Sequence, residues 1–219
     1  MCVKDIPVFV TEFGAASLIL QEVAYQEKAY IRLQATQQPR ELLEECIGFC
    51  KAVGAAQIYA TGHAYLEAYP FYTAIVQMQC PTDNFPVTDA ALWPLQEAGL
   101  PYFLEIYRKK VRSIPNGAWL TDADGLAIAK KGTGYFVHRQ GELLGIGIVE
   151  ENELRFVASL KPGAGETCVR ALASLVQEDS IVLQVASTNQ KAISLYEKLG
   201  FLPVRELSRW YCVASLDHD

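Results

Sequence analysis

Two stretches near the carboxyl end combine residue types at spacings that could do chemistry. In the first, Lys161-Pro162-Gly163-Ala164-Gly165 separates the strand-like run Glu153 to Ser159 from a helical pattern that begins at Glu166. Two glycines one residue apart at a strand-to-helix turn leave backbone N–H groups uncovered, and several such donors beside a helix start can cradle a pyrophosphate. The helix dipole adds only about 0.3–1 kcal/mol per favourable charge. Affinity would therefore rest on the hydrogen bonds acting together, with Glu166 in the first turn opposing an anion slightly. In the second stretch, Asn189-Gln190-Lys191-Ala192-Ile193-Ser194-Leu195-Tyr196-Glu197-Lys198-Leu199-Gly200-Phe201 follows the apolar run Ile181 to Val185. Tyr196 lies in the middle of this helical pattern, where its phenol is either a proton donor or the polar rim of a core ring.

The thiols offer less. The cysteines at 2, 46, 50, 80, 168 and 212 are scattered, and Cys46 and Cys50 stand one helical turn apart with no histidine or further cysteine near enough in sequence to complete a zinc tetrahedron. They read as buried, reduced helix residues. Cys168 and Cys212 have no neighbouring histidine to make either a covalent nucleophile.

The elements that must position these residues follow from periodicity. Apolar residues at 42, 43, 46, 47, 49, 50 and 53 predict a buried helix from Arg40 to Val53, ending near Gly54, and Gln57 to Ala60 and Phe71 to Met78 read as strands. Prolines at 81, 86, 94 and 101 mark a boundary, so domains are expected at 1–85 and 102–219. Beyond it, the pattern predicts a helix over Pro101 to Arg112 and strands at Tyr135 to His138, Glu142 to Val149 and Glu153 to Ser159. The glycine loop then leads to a helix reaching about Gln177, the strand Ile181 to Val185, a helix from Asn189 to Leu199 closed by Gly200, and two closing strands. Such alternation gives an α/β (α+β) fold with a mixed central sheet flanked by helices. The order of elements in Glu41 to Gln79 parallels that in Glu166 to Val213, which predicts two tandem units, the first without a glycine loop.

The Asn189 to Phe201 stretch resembles the last motif of the GNAT N-acetyltransferase superfamily: Asn at the helix start, Ala three residues on, then Leu-Tyr-Glu-Lys-Leu-Gly-Phe. The preceding strand and glycine loop are similar to that superfamily's coenzyme A motif, and Tyr107 to Leu120, with Ile114-Pro115-Asn116, is similar to the helical region opening many bacterial members. The resemblance spans about residues 102–216 and implies a GNAT fold with acetyl-CoA as cofactor, plus a degenerate GNAT-like unit, lid or accessory domain upstream. It implies that Val157, Ala158 and Ser159 pair with the pantetheine arm by strand augmentation. Lys161, Gly163, Ala164, Gly165, Glu166 and Thr167 would hold the pyrophosphate, Asn189 would reach the cofactor arm with Ala192 leaving room beside it, and Tyr196 would protonate the leaving thiolate. The family loop usually carries Gln or Arg three residues before its first glycine; here Leu160 stands there, which weakens binding.

The implied activity is transfer of an acetyl group to a primary amine of a small molecule or peptide by direct attack. An alkylammonium of pKa near 10.4 is only about 0.04% neutral at pH 7, a handicap of about 4.6 kcal/mol, so a base or water chain is required. Glu150, Glu151, Glu153 and His138 lie closest in the pattern, with Glu150 the assigned base and ordinary surface roles the alternative for each. Trp119, Trp210 and Tyr211 either line a pocket or pack in a core. A net charge of −6 argues against nucleic acid as the main partner and is compatible with a cationic substrate. No apolar run of ~18 residues and no signal-peptide pattern at Met1 to Asp5 predict a protein with no membrane span, cytoplasmic, and a monomer or homodimer. The competing reading is a coenzyme A-binding or sensing protein that has lost turnover. No metal site is expected.

Overall fold

The computed structural model describes residues 7–85 and 88–215. Cys2, Pro86 and the Met1 to Asp5 pattern lie outside the described residues, as does the chain from 216 onward. In chain order the elements are β1 (Val8–Thr11), β2 (Gly14–Ile19), α1 (Val23–Gln26), β3 (Lys28–Thr36), α2 (Pro39–Ala52), β4 (Gln57–Thr61) and β5 (Phe71–Pro81), followed by β6 (Ala91–Pro94), α3 (Leu100–Val111) and α4 (Asp122–Lys131). The remainder is β7 (Gly134–Arg139), β8 (Glu142–Glu150), β9 (Glu153–Ser159), α5 (Gly165–Ala173), β10 (Ser180–Ala186), α6 (Gln190–Lys198) and β11 (Leu202–Ser215). The structure is the mixed α/β arrangement expected, with helices against a sheet containing parallel and antiparallel pairs.

Two compact units divide the chain: Met1–Ala74 with Leu207–Asp219, and Ile75–Glu206. The division runs through β5 and β11 rather than through the proline-rich connection around residues 85–102. In the first unit the strand order is β1-β2-β3-β4, followed by the last part of β11, where Tyr211 to Ser215 pair antiparallel with Ala60 to Gln57. Its core is the stripe Leu42, Leu43, Cys46 and Cys50 of α2, seated on Ala29, Ile31, Ile58 and Ala60. Burial pushes the Cys46 and Cys50 thiols up to about 12 and about 11, the behaviour of apolar core residues. Trp210 and Tyr211 are also buried in this unit.

In the second unit the first part of β11 lies beside β5, and the order continues β10-β9-β8-β7-β6. Strands β5 and β10 form an antiparallel ladder running from Ser180↔Pro81 to Ala186↔Ile75. The strand that covers one edge of β10 therefore comes from far earlier in the chain than the helices that pack beside it. The unit has apolar clusters around α5 and around α3, the latter containing Trp119 with Phe103, Tyr107, Ile146 and Ile148. Trp119 is a core ring held between Arg108 and Arg112, whose guanidinium carbons lie 5.5 and 5.4 Å from its centroid.

Three expectations are corrected. The helix after the glycine loop stops at Ala173, beyond which the chain tightens into turns in which Leu175 and Val176 N–H donate to the Leu172 and Ala173 carbonyls (3.2 and 3.1 Å). The two closing strands are one strand, Leu202–Ser215, which continues through Pro203 because its first residues still have a partner: Arg205 donates to Gln77 of β5 (2.7 Å). The segments β1, β2, β3, β6 and α4 were not expected. For α4 the signal was present: Thr121 and Asp124 form a reciprocal capping box, the Thr-x-x-Asp spacing that marks a helix start.

A fragment comprising 102–219 would leave the edge of β10 uncovered and is expected to show no cooperative urea transition, whereas 75–206, which retains β5 from Ile75 on, is expected to unfold cooperatively; circular dichroism during urea titration reads both.

Candidate functional site

The site is built in the second unit around the point where two parallel strands part. Strand β9 meets β10 at one register pair, Val182↔Glu153. That junction is pinned by Val182 N–H donating to Asn152 O (2.9 Å), by Asn152 Nδ2 donating to Ser180 O (3.2 Å) and by Gln184 Nε2 donating to Glu153 Oε1 (2.9 Å). Past it, each strand keeps only its outer partner: β9 pairs with β8 as far as Gly145↔Ser159, and β10 pairs with β5 along its length. Among the described residues no ladder partner stands on the inner edge of β9 from Leu154 to Ser159. Val157, Ala158 and Ser159 lie on that edge.

The sequence Leu144-Gly145-Ile146-Gly147-Ile148 explains how α5 is brought against this strand pair. Ile146 and Ile148 belong to the core under α3, while a side chain at Gly147 would start 2.2 Å from Leu172 Cδ1 of α5. The glycine face lets α5 lie close on β8, which sets the loop before it at the end of β9. In that loop Gly163 has φ +79°, which an L side chain resists, and Ala164 is the residue before α5. A Cβ at Gly165 would stand 3.1 Å from Leu195 Cδ2 of α6 and 4.0 Å from Ser159 Oγ of β9. Gly165 thus keeps a gap open between the end of β9 and α6, at the start of a helix whose first N–H groups have no carbonyl partner within the helix. The loop and helix start suit an anion, and the strand edge suits an extended arm with amide groups.

The charge at the helix start differs from what the sequence implied. Glu166 accepts from Arg170 Nε (3.1 Å) and Lys198 Nζ (2.7 Å), which together hold its carboxyl below the usual range and leave the trio with a net positive charge. Lys161 is paired with Glu142 (2.7 Å). Leu160, at the position of the missing polar side chain, packs on the apolar cluster under α3. Lys198 and Arg170 were not singled out in the sequence; as i+2 from Tyr196 and i+4 from Glu166 they read only as helix-surface charges.

Helix α6 is capped by Asn189, whose Oδ1 accepts from Ala192 N–H (3.3 Å). Its buried side chain is Tyr196, packed edge-on to Phe201 with centroids 5.7 Å apart. Burial alone pushes the Tyr196 phenol up to about 12, and among the described residues its hydroxyl makes no hydrogen bond.

The carboxylate assigned as base is otherwise engaged. Glu150 is held by Lys131 Nζ at 3.1 Å and by the Arg155 guanidinium, and these partners lower its carboxyl to about 2. A group that binds a proton only near pH 2 is a poor base at neutral pH. His138 is no better placed: its ring sits 4.3 Å from that of Trp93 with both nitrogens buried and without hydrogen-bond partners. Glu153 receives the Gln184 amide at the strand junction, and Glu151 is the exposed φ +55° residue of the turn between β8 and β9. The geometry therefore brings together the strand edge, the loop and α6, with Glu150 and His138 engaged elsewhere.

Solved structures similar to the chain include a GCN5-related N-acetyltransferase from Sphaerobacter thermophilus, at 12% identity over 93% of this chain and 78% of that one, with a TM-score of 0.59. A functionally unknown conserved protein from Staphylococcus epidermidis matches at 9% identity over 96% and 92%, TM-score 0.59. A tandem GNAT protein from the clavulanic acid biosynthesis pathway matches at 13% identity over 94% and 80%, TM-score 0.56. No family model matches the chain, and no curated protein matches it in sequence. At these identities the likeness is one of fold.

The ion pairs of Glu150 carry a pH dependence. Its folded pKa is depressed, so its contribution is complete above the unfolded value of 4.5 and is lost as pH falls toward about 2. Glu150→Gln should cost about 1–2 kcal/mol at pH 7 after allowance for solvent screening and should flatten the loss of stability between pH 4.5 and 2; urea titrations across that range measure both.

Proposed function

We propose that this chain, which has the GNAT fold, is an acetyl-CoA-dependent N-acetyltransferase acting on a primary amine of a small molecule or peptide. The observation that carries the reading is the unpaired edge of β9 opening beside the Gly163–Gly165 loop. Backbone groups at Val157, Ala158 and Ser159 would bind the amides of a pantetheine arm as an added strand does. N–H groups from Gly163 to Thr167 would take the pyrophosphate, with Arg170 and Lys198 supplying positive charge nearby. Asn189 and Ala192 line the start of α6 beside that arm.

Bound there, acetyl-CoA supplies an activated acetyl thioester. The chain's own residues hold it extended, exclude water along β9 and present a proton donor. Tyr196 is the residue we assign to that last role: its phenol is protonated throughout the neutral range and donates to the departing sulfur, and the phenolate left behind takes up the proton that the attacking nitrogen sheds as the amide forms. The acceptor ammonium loses its proton to water rather than to Glu150. A net charge of −6 favours approach of a cationic acceptor. Among the described residues no helix is long and apolar enough to cross a membrane, and the reading carries with it a cytoplasmic, monomeric or homodimeric enzyme without nucleic-acid partners.

A second reading, a coenzyme A-binding or sensing protein without turnover, is favoured by Leu160 in the loop and by the engagement of Glu150. Calorimetric titration with acetyl-CoA should give saturable one-site binding that Gly165→Trp abolishes, since that side chain would enter the gap between Ser159 and Leu195; no binding by the wild type at millimolar acetyl-CoA would sink both readings. In an amine-library screen, Tyr196→Phe should lower kcat by about 10²–10⁴-fold while leaving acetyl-CoA affinity within about 2-fold; binding with no turnover on any amine would favour the sensor.

A further inference from the structure

We infer that Phe85, in the segment after β5, is a positioning residue for Tyr196, acting through Phe201; the inference rests on the acetyl-transfer reading of Tyr196. The rings form a chain. Phe85 lies 5.7 Å from Phe201 at an interplanar angle of 53°, and Phe201 lies 5.7 Å from Tyr196 at 62°, both in the tilted or edge-on range that aromatic quadrupoles favour. Phe201 is fully buried and donates its N–H to the Tyr196 carbonyl (3.0 Å), so its ring and the tyrosine are fixed to each other by backbone as well as by packing. Phe85 is the outer member, half-buried against the same core with its ring against that of Phe201.

The segment that carries Phe85 is itself gripped at both ends of its short turn. Thr82 donates its hydroxyl to Glu178 O (2.6 Å) and its N–H to Asp179 O (3.0 Å), and Phe85 N–H returns to Thr82 O (3.1 Å). Cys80 Sγ donates to Leu199 O at the end of α6 (3.6 Å) and accepts from Asn84 Nδ2 (3.1 Å). Arg170, which also holds Glu166 at the start of α5, reaches Asn84 O (3.5 Å). Residues 80–85 thus tie the carboxyl end of the helix bearing Tyr196 to the first turn of the helix behind the glycine loop. The titratable groups sharing Tyr196's core are the buried thiols of Cys80 and Cys168 and the partly buried phenol of Tyr135, and among the described residues no acid or base hydrogen-bonds to the Tyr196 phenol.

The test is the ionisation of Tyr196 in the full chain, followed by NMR of protein labelled at the tyrosine Cζ, with the Tyr196 signal assigned by its loss in Tyr196→Phe. In the wild type, with the phenol at about 12, the signal should barely move between about pH 8 and 11. Phe85→Ala should admit water to Phe201 and bring the midpoint down into that window, toward the ordinary tyrosine value of about 10, and Phe85→Leu should restore wild-type behaviour. A Tyr196 signal that stays as immobile in Phe85→Ala as in the wild type would overturn the inference, as would a Leu variant that titrates like the Ala variant. Acetyl-CoA affinity measured on the same samples should stay within about 2-fold in Phe85→Ala; wild type that binds no acetyl-CoA would defeat the transferase reading while the titration still decides the coupling. Should Phe85→Ala lose cooperative unfolding, Phe85→Val carries the same comparison.

Discussion

A parallel strand pair that separates inside a sheet leaves a row of backbone donors and acceptors needing partners, since buried peptide groups left unsatisfied cost about 1–3 kcal/mol each. The parting of β9 and β10 beyond Glu153 and Val182 creates such a row in this protein, and the rest of the second unit is arranged to maintain it. Each strand is held from its outer side, β9 by β8 and β10 by β5, so that neither can close on the other. Gly147 admits α5 to the strand face, and Gly165 keeps the mouth of the gap clear of side chains.

The first unit contains the corresponding parallel pair in a different state. Strands β3 and β4 are zipped through five register pairs, from Lys28↔Gln57 to Arg32↔Thr61, which uses the whole length of β4. Tyr30 and Tyr59 stand opposite each other in that ladder and stack at 5.5 Å, with Tyr72 stacked on Tyr59 at 3.9 Å. Over those five residues the facing backbone groups of β3 are taken by β4, and cross-strand aromatic packing favours the closed pairing. The two units of similar element order thus differ in this strand pairing as well as in the glycine loop, and the chemistry is proposed for the one whose pair stays open.

Electrostatics at the mouth of the gap follow from helix register. Glu166 is neutralised by Arg170 one turn later and by Lys198 across from α6, and the cluster is left with one positive charge in excess. The Leu160 position, by contrast, faces the apolar core, where a cation would be costly to bury. Positive charge near the loop therefore comes from the two helices on either side of it rather than from the loop itself. Glu150 belongs to a different economy: its two cations make it a fixed anion at the end of β8, useful for holding strands and not for moving protons.

Local information in the sequence settled much of this. The glycine loop, the helices near Pro39–Ala52 and Gln190–Lys198 and strands β7 to β10 were legible because each has its own periodicity, cap or turn residue, and the motif through Asn189 and Tyr196 pointed to the fold family. The first strands were less legible: β3 alternates weakly because residues on both of its faces are buried, as Ala29, Tyr30 and Ile31 show. Only the tertiary structure decided that β5 belongs beside β10, that β11 runs unbroken, that Lys198 offsets Glu166 and that Glu150 is spent on Arg155 and Lys131. These are pairings between residues far apart in sequence, and composition and spacing carry no record of which distant partner a strand edge or a charge will meet.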